Sequence, residues 1–240
     1  MLGGVTSGRA VRLMALLTIG SLPGACSGGN ASSGLELKPN RFSRRVDHPL
    51  VPISTVTHTV FEGTQGVAGS GKPIHVRIVS NTLDDTRIVA GVRVAIVDVR
   101  EYESGSLVEH TFDFYAQRKD GSVWYFGELV DDYKGGQVSG HGGQWLAGQE
   151  DARPGLFMPA MPRVGQSFQQ ERAPEVAEDR SEVVEVGLKV TTPAGTFSKC
   201  IKTKDVAPLD NVTEFKYYCP GAGLVREDVP QGRLQLVSYR

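Results

Sequence analysis

The chain has 240 residues, with 26 basic against 27 acidic side chains and a formal net charge of −1. A near-neutral balance without a basic run argues against a nucleic-acid surface. Hydrophobic residues make up 40% of the chain and aromatic residues 8%, which is ample for a packed core and excludes a chain disordered throughout.

At the N-terminus Arg9 and Arg12 precede the apolar run Leu13 to Leu22, and small residues then lead to Cys26. This is the order of a secretory signal peptide, and the run is too short to span a bilayer permanently. Residues 1–25 are therefore expected to be removed. Leu22-Pro-Gly-Ala-Cys26 resembles the lipobox of bacterial lipoproteins, which implies that Cys26 is lipidated and becomes the mature N-terminus. Pro23 stands where the aliphatic residue is expected, and ordinary signal-peptidase cleavage nearby is the alternative. Ser27 to Gly34 is a Gly/Ser tether that would let a folded body sit off a membrane. Removing residues 1–25 takes two cations away, leaving 24 basic against 27 acidic residues and a net charge of −3. With Cys26 lipidated, Cys200 and Cys219 remain, and an even pair in an oxidising compartment predicts one disulfide.

Residues 26–47 are read as tether and extended lead-in, and 48–240 as a single domain. Residues 35–55 contain Pro39, Pro49 and Pro52 and show no clear period. From Thr57 the pattern becomes β: Thr57–Glu62 and Pro73–Val79 alternate, and Thr86–Arg100 reads as one long strand rich in Val and Ile. Glu103–Ser106 is a turn signal.

Phe112 to Gly127 is a hairpin, with aromatic-rich runs on either side of Asp120-Gly121. A three-residue Lys119-Asp120-Gly121 loop segregates the side chains better than a two-residue loop, pairing Ala116 with Trp124 and Phe114 with Phe126. One face then carries Phe112, Phe114, Trp124 and Phe126, continuing to Glu128 opposite Phe112. The other carries Asp113, Tyr115, Gln117, Val123 and Tyr125. Gln137–Leu146 is a Gly-broken strand. Ala147–Gly165, with Pro154-Gly155, Pro159 and Pro162, is neither a central strand nor a helix. Ala173–Asp179 is expected to hold at most one helical turn, between strands at Ser167–Arg172 and Arg180–Val186.

In the C-terminal third, Leu188–Thr191 and Thr196–Thr203 flank one turn, Val212–Cys219 and Leu224–Glu227 flank another, and Arg233–Tyr239 closes the sheet. Strands at roughly ten-residue spacing without intervening helices predict an all-β fold. The expected form is an antiparallel meander making a half-barrel, barrel or sandwich.

Thr192-Pro-Ala-Gly-Thr-Phe197, Tyr217-Tyr-Cys-Pro-Gly-Ala-Gly-Leu-Val225 and Val123-Trp-Tyr-Phe-Gly-Glu128 resemble motifs of a family of uncharacterised exported bacterial proteins. The resemblance runs from about residue 48 to the end. It implies a curved antiparallel sheet, similar in outline to the half-barrels of periplasmic lipoprotein carriers, and brings no known activity. Relatives often carry Ala where this chain has Cys219.

Other motifs carry little chemistry. Gly66 to Pro73 nearly spells a phosphate loop, but Pro73 replaces the Mg²⁺-binding hydroxyl and a strand follows instead of a helix. The histidines at 48, 58, 75, 110 and 141 lack metal-ligand spacing, although His58 and His75 lie on neighbouring predicted strands. Met158 and Met161 with His141 would suit a soft metal, yet apolar loop packing explains the methionines better. No nucleophile elbow, Ser-x-x-Lys or His-Glu-x-x-His motif occurs, so no catalytic residue, metal or cofactor is assigned.

The expected function is therefore an exported envelope lipoprotein, held to the membrane by its N-terminal lipid. Its curved sheet would bind an apolar or amphipathic ligand or an envelope protein. Trp124, Phe126 and Glu128 would line one wall of the concavity, with Leu156 and Met158 on a proline-pinned lid. The alternatives are a carboxylate-dependent hydrolase around Glu128, which two carboxylates meeting in the concavity would favour, and a purely structural envelope protein.

Overall fold

Alternating apolar and polar residues drive nearly the whole chain into antiparallel strands, and a computed structural model describes residues 37–66 and 72–240. The signal segment, Cys26, the tether and the centre of the near-phosphate loop lie outside the described residues. A 3-10 turn at Pro39–Arg41 leads into β1 (Phe42–Ser43). The strands β2 (His58–Gly66), β3 (Pro73–Val89), β4 (Val92–Glu103), β5 (Ser106–Arg118), β6 (Val123–Lys134) and β7 (Gln137–Gly140) follow as a meander. After the short β8 (Trp145–Leu146), β9 (Gly155–Met158) and β10 (Ser167–Gln169) come the long β11 (Arg180–Thr192) and β12 (Gly195–Ala207). Finally, β13 (Val212–Cys219), β14 (Gly223–Val229) and β15 (Gly232–Tyr239) bring the chain back to β2.

The result is one curved, unclosed antiparallel sheet in the order β10-β11-β12-β13-β14-β15-β2-β3-β4-β5-β6-β7, with β1 added to β5, and β8 and β9 added to β6. The all-β expectation holds, and Ala173–Asp179 stays within the expected limit of one turn, with Val176 N and Ala177 N both donating to Ala173 O. Thr86–Arg100 is not one strand. It breaks at Ala90-Gly91, whose φ values of 47° and 78° give the primed kind of hairpin turn. Conversely, the two runs around Gly187 fuse into one bulged strand, β11.

The β5–β6 hairpin has the three-residue loop: Arg118 and Ser122 pair, and Gly121 takes φ 93°. Ala116 lies opposite Trp124 as expected. Both faces of this hairpin are buried, contrary to the expectation of a single apolar face. On the outer face Phe42 packs edge-on against Trp124 and Phe126, at centroid distances of 6.3 and 5.5 Å. On the inner face Tyr115, Tyr125, Trp145, Phe157 and Tyr218 form a chain of ring contacts. The lead-in is thus part of the core, and Val46, Leu50 and Val51 are buried in it.

Cys200 and Cys219 form the expected disulfide. The β12–β13 register pairs Ile201 with Tyr218, which sets the cysteines opposite each other with Cα atoms 4.1 Å apart.

Candidate functional site

The inner face of the curved sheet encloses a partly open cavity of about 160 Å³. Its walls come from alternate residues of successive strands, because only every second side chain of a strand points inward. Phe61, Ile78, Val97, Val99 and Phe157 supply apolar wall, and the lead-in residues Leu50, Val51, Ile53 and Val56 run across it as a strap. Hydrogen bonds fix the strap: Thr82 donates its amide to Thr57 O and its hydroxyl to Ile53 O, and Gly221 N donates to Pro49 O.

The strand registers order the inner side chains into rows. One row runs Phe61, Ile78, Glu101, Glu109, and the next runs Thr59, Ser80, Val99, Thr111, Val130. A third runs Thr82, Val97, Asp113, Glu128. Glu101 thus directly faces Glu109 across β4–β5, and Asp113 directly faces Glu128 across β5–β6. All four carboxylates line the cavity. Like charges directly opposed on neighbouring strands are destabilising, so each pair favours a shared proton or a cation between its members.

Burial pushes the Asp113 carboxyl up to about 7, although Thr111, Tyr125 and Tyr115 donate hydrogen bonds that favour the charged form. The Tyr125 hydroxyl lies 3.3 Å from Oδ1 and that of Tyr115 3.5 Å from Oδ2. Burial and the adjacent Asp113 hold both phenols well above their ordinary range, so they stay neutral donors.

Across the cavity Lys216 projects from β13, with its ammonium 3.4 Å from Asp205, 3.7 Å from Glu214 and 3.4 Å from Glu227. Burial alone would lower the Lys216 pKa, but the three carboxylates outweigh it and hold it well above its usual value. Glu214 is pushed up by burial and then by the neighbouring Glu227. Burial also raises Asp179, to about 6.

Of the residues singled out from sequence, Glu128 lines the cavity and is 1% exposed. It does not share a face with Trp124 and Phe126, which is a correction of register. A bulge at Gly127, with φ 109°, inserts an extra residue on β6, so Glu128 faces Asp113 and Leu129 faces Phe112. Trp124 and Phe126 are buried under Phe42 on the outer face, and the Trp124 indole donates to Ser122 Oγ.

Leu156 and Met158 do not form a lid. Their segment is β9, hydrogen-bonded along β6, with Leu156 beside Trp124 and Met158 beside Val123. Phe157 between them is the residue that reaches the cavity. Sequence reasoning missed Glu101, Glu109, Asp113 and Lys216. The signal for Glu109 and Asp113 was present as the inward run Glu109, Thr111, Asp113, Tyr115 at every second position.

The remaining candidates do not converge. His58 pairs with Asn81 and His75 with Thr64, so the two histidines lie far apart along their strands. His141 hydrogen-bonds Val130 O and lies 3.0 Å from Asp131. Among the described residues no group of His, Cys, Asp or Glu is placed to hold a metal ion.

No protein-family model matches the chain. No curated protein matches it in sequence. Among solved structures it is similar to a candidate lipoprotein from Parabacteroides distasonis ATCC 8503, with 15% identity and a TM-score of 0.42 over 80% of this chain and 98% of the other.

Proposed function

We propose that this protein is an exported lipoprotein whose inner cavity binds a small amphipathic ligand. The polar head of that ligand is cationic or rich in donors and lies against the Asp113–Glu128 and Glu101–Glu109 pairs. Its apolar part lies against Val97, Val99, Phe157 and the strap. The observation that carries this reading is the placement of two directly opposed carboxylate pairs on an otherwise largely apolar inner wall. An ammonium between paired carboxylates offsets their repulsion, whereas an anionic head would add to it. The volume sets the scale: a cavity near 150 Å³ accommodates about one benzene ring, so the enclosed part is a short chain or one ring.

The test is calorimetric titration of the purified protein with alkylamines, alkanols and alkanoates of equal length. Amines are expected to bind best and alkanoates worst. Glu128→Gln should reduce the amine preference, while Trp124→Phe, on the outer face, should leave it unchanged. Alkanoates binding as well as amines would overturn the assignment of the head group. If all three series fail, and protein extracted from its own envelope carries no small molecule in native mass spectrometry, the binding function itself falls.

A carboxylate-dependent hydrolase is the second reading, favoured by the meeting of Asp113 and Glu128 in the cavity. Asp113, raised to about 7, is poised to carry a proton at neutral pH, as a general acid requires. Turnover of an envelope substrate abolished by both Asp113→Asn and Glu128→Gln would favour this reading over simple binding.

A further inference from the structure

The described chain enters the fold at Leu37, and what surrounds that entry is a basic and apolar surface that the cavity does not use. Antiparallel connectivity puts the β3–β4 and β5–β6 turns at the same end of the sheet. The entry segment is built into that end. Pro39 lies against Gly91 of the first turn, Phe42 pairs with Arg118, and Lys119 N donates to Arg41 O at the second.

The loop from Pro159 to Gly165 joins the same surface. A methyl group on Gly121 would lie 3.4 Å from that of Ala160, and the His48 ring hydrogen-bonds Ala160 O. Beyond Ala160 the loop projects Met161, 71% exposed, and Val164, 59% exposed, with the exposed Arg163 between them.

The charge at this end departs from that of the whole chain. At this end Asp47 and Asp120 are paired with Arg45 and Arg118, and Arg44 donates to the backbone oxygen of the exposed Asp84. Arg41, Lys119 and Arg163 are exposed, and among the described residues none of them forms an ion pair with an acid. The patch stops at the acidic turn Glu150-Asp151, where Gly148 packs against Ala90. A chain whose net charge is −1 thus concentrates cations around two exposed apolar side chains where its N-terminal segment of 36 residues arrives.

We infer that this end of the domain is a membrane-docking face, with Met161 and Val164 inserting at the headgroup level of an anionic bilayer and Arg41, Lys119 and Arg163 contacting its phosphates. Apolar side chains ringed by Lys and Arg suit the interface of an anionic membrane, where both kinds of group gain. The placement rests on the lipoprotein reading for the anchor, since a lipid at Cys26 would bring this end to the bilayer. The surface can nevertheless be tested without that lipid.

The experiment uses the full exported chain with Cys26→Ser, mixed with vesicles of phosphatidylcholine alone or with one third phosphatidylglycerol. Sedimentation at low and at physiological salt reads the partition. The chain is expected to bind the anionic vesicles, more weakly as salt rises, and to leave the neutral ones largely unbound. Each cation near such a surface is worth about fivefold in partition, so Arg41→Glu/Lys119→Glu/Arg163→Glu should lower it by at least about a hundredfold.

Met161→Ser/Val164→Ser should lower it several-fold at unchanged charge. All five side chains are exposed, and unchanged melting curves confirm folding; Gln replacements serve if the Glu variant is unstable. Failure of the Cys26→Ser chain to bind anionic vesicles overturns the inference, as does binding that neither variant weakens. If the wild-type protein is instead found unlipidated, the anchor reading falls and the vesicle result still decides the docking face.

Discussion

Asp113→Asn isolates the titration at the centre of the cavity. In the folded chain burial holds this carboxyl at about 7 against an ordinary value of 3.8, so between those values the native state keeps a proton that the unfolded state has lost. The sign follows: the stability this group contributes is fully present below about pH 4 and is lost as pH rises through 7. One proton changes stability by about 1.4 kcal/mol per pH unit, and the gap is about three units, so Asp113 costs the fold on the order of 4 kcal/mol by pH 8.

Asparagine keeps the shape and does not ionise. Its carbonyl still accepts one of the two tyrosine hydroxyls, and its amide can donate to the oxygen of the other, so the exchange should cost no more than about 1 kcal/mol at pH 4. Denaturant unfolding between pH 4 and 8 is the assay. The wild type should lose stability towards pH 8 more steeply than the variant, and the two curves should cross, leaving the variant a few kcal/mol the more stable at pH 8. Parallel curves would refute the reasoning, since they would mean that Asp113 is not held protonated by the fold.

Lys216→Met removes the cation that Asp205, Glu214 and Glu227 surround. Leaving buried carboxylates without it should cost about 3–5 kcal/mol, measured as a fall in melting temperature on the order of 10 °C, and acidification should recover part of the loss. Replacing Cys200 and Cys219 by Ala opens a loop spanning 19 residues and should cost about 3 kcal/mol in denaturant unfolding. Cys26→Ala should move the protein from the membrane to the soluble fraction; an unmodified N-terminus at another residue in membrane-purified protein would refute lipidation.

Where local chemistry decides the backbone, the sequence reads correctly. Asp120-Gly121 specifies its hairpin because Gly121 takes the left-handed conformation at no steric cost. The facing of Cys200 and Cys219 follows from the register of β12 and β13 on either side of the Pro208–Asn211 turn. The turn at Ala90-Gly91 was hidden because Ala rarely adopts positive φ and Val and Ile continue on both sides, so Gly91 alone marks the break. The lead-in was unreadable for a different reason: Val46, Leu50 and Val51 follow no period, and their burial comes from the sheet they cross.

The site itself was hidden by one glycine. Strict alternation from Trp124 would carry Glu128 to the outer face with Phe126, and that parity holds only while no residue is added to the strand. Gly127 adds one. A side chain there would drive its Cβ into the Trp145 carbonyl oxygen, so the close pairing of β8 with β6 requires glycine as much as the bulge does. Beyond the bulge every inward and outward assignment is exchanged, which turns Glu128 towards Asp113 and leaves Trp124 and Phe126 as core beneath Phe42. The same glycine therefore admits β8 alongside β6 and turns the Glu128 carboxylate into the inner pair. Any relative keeping Glu128 but replacing Gly127 should lack that pair, because without the bulge the carboxylate points to the other side of the sheet.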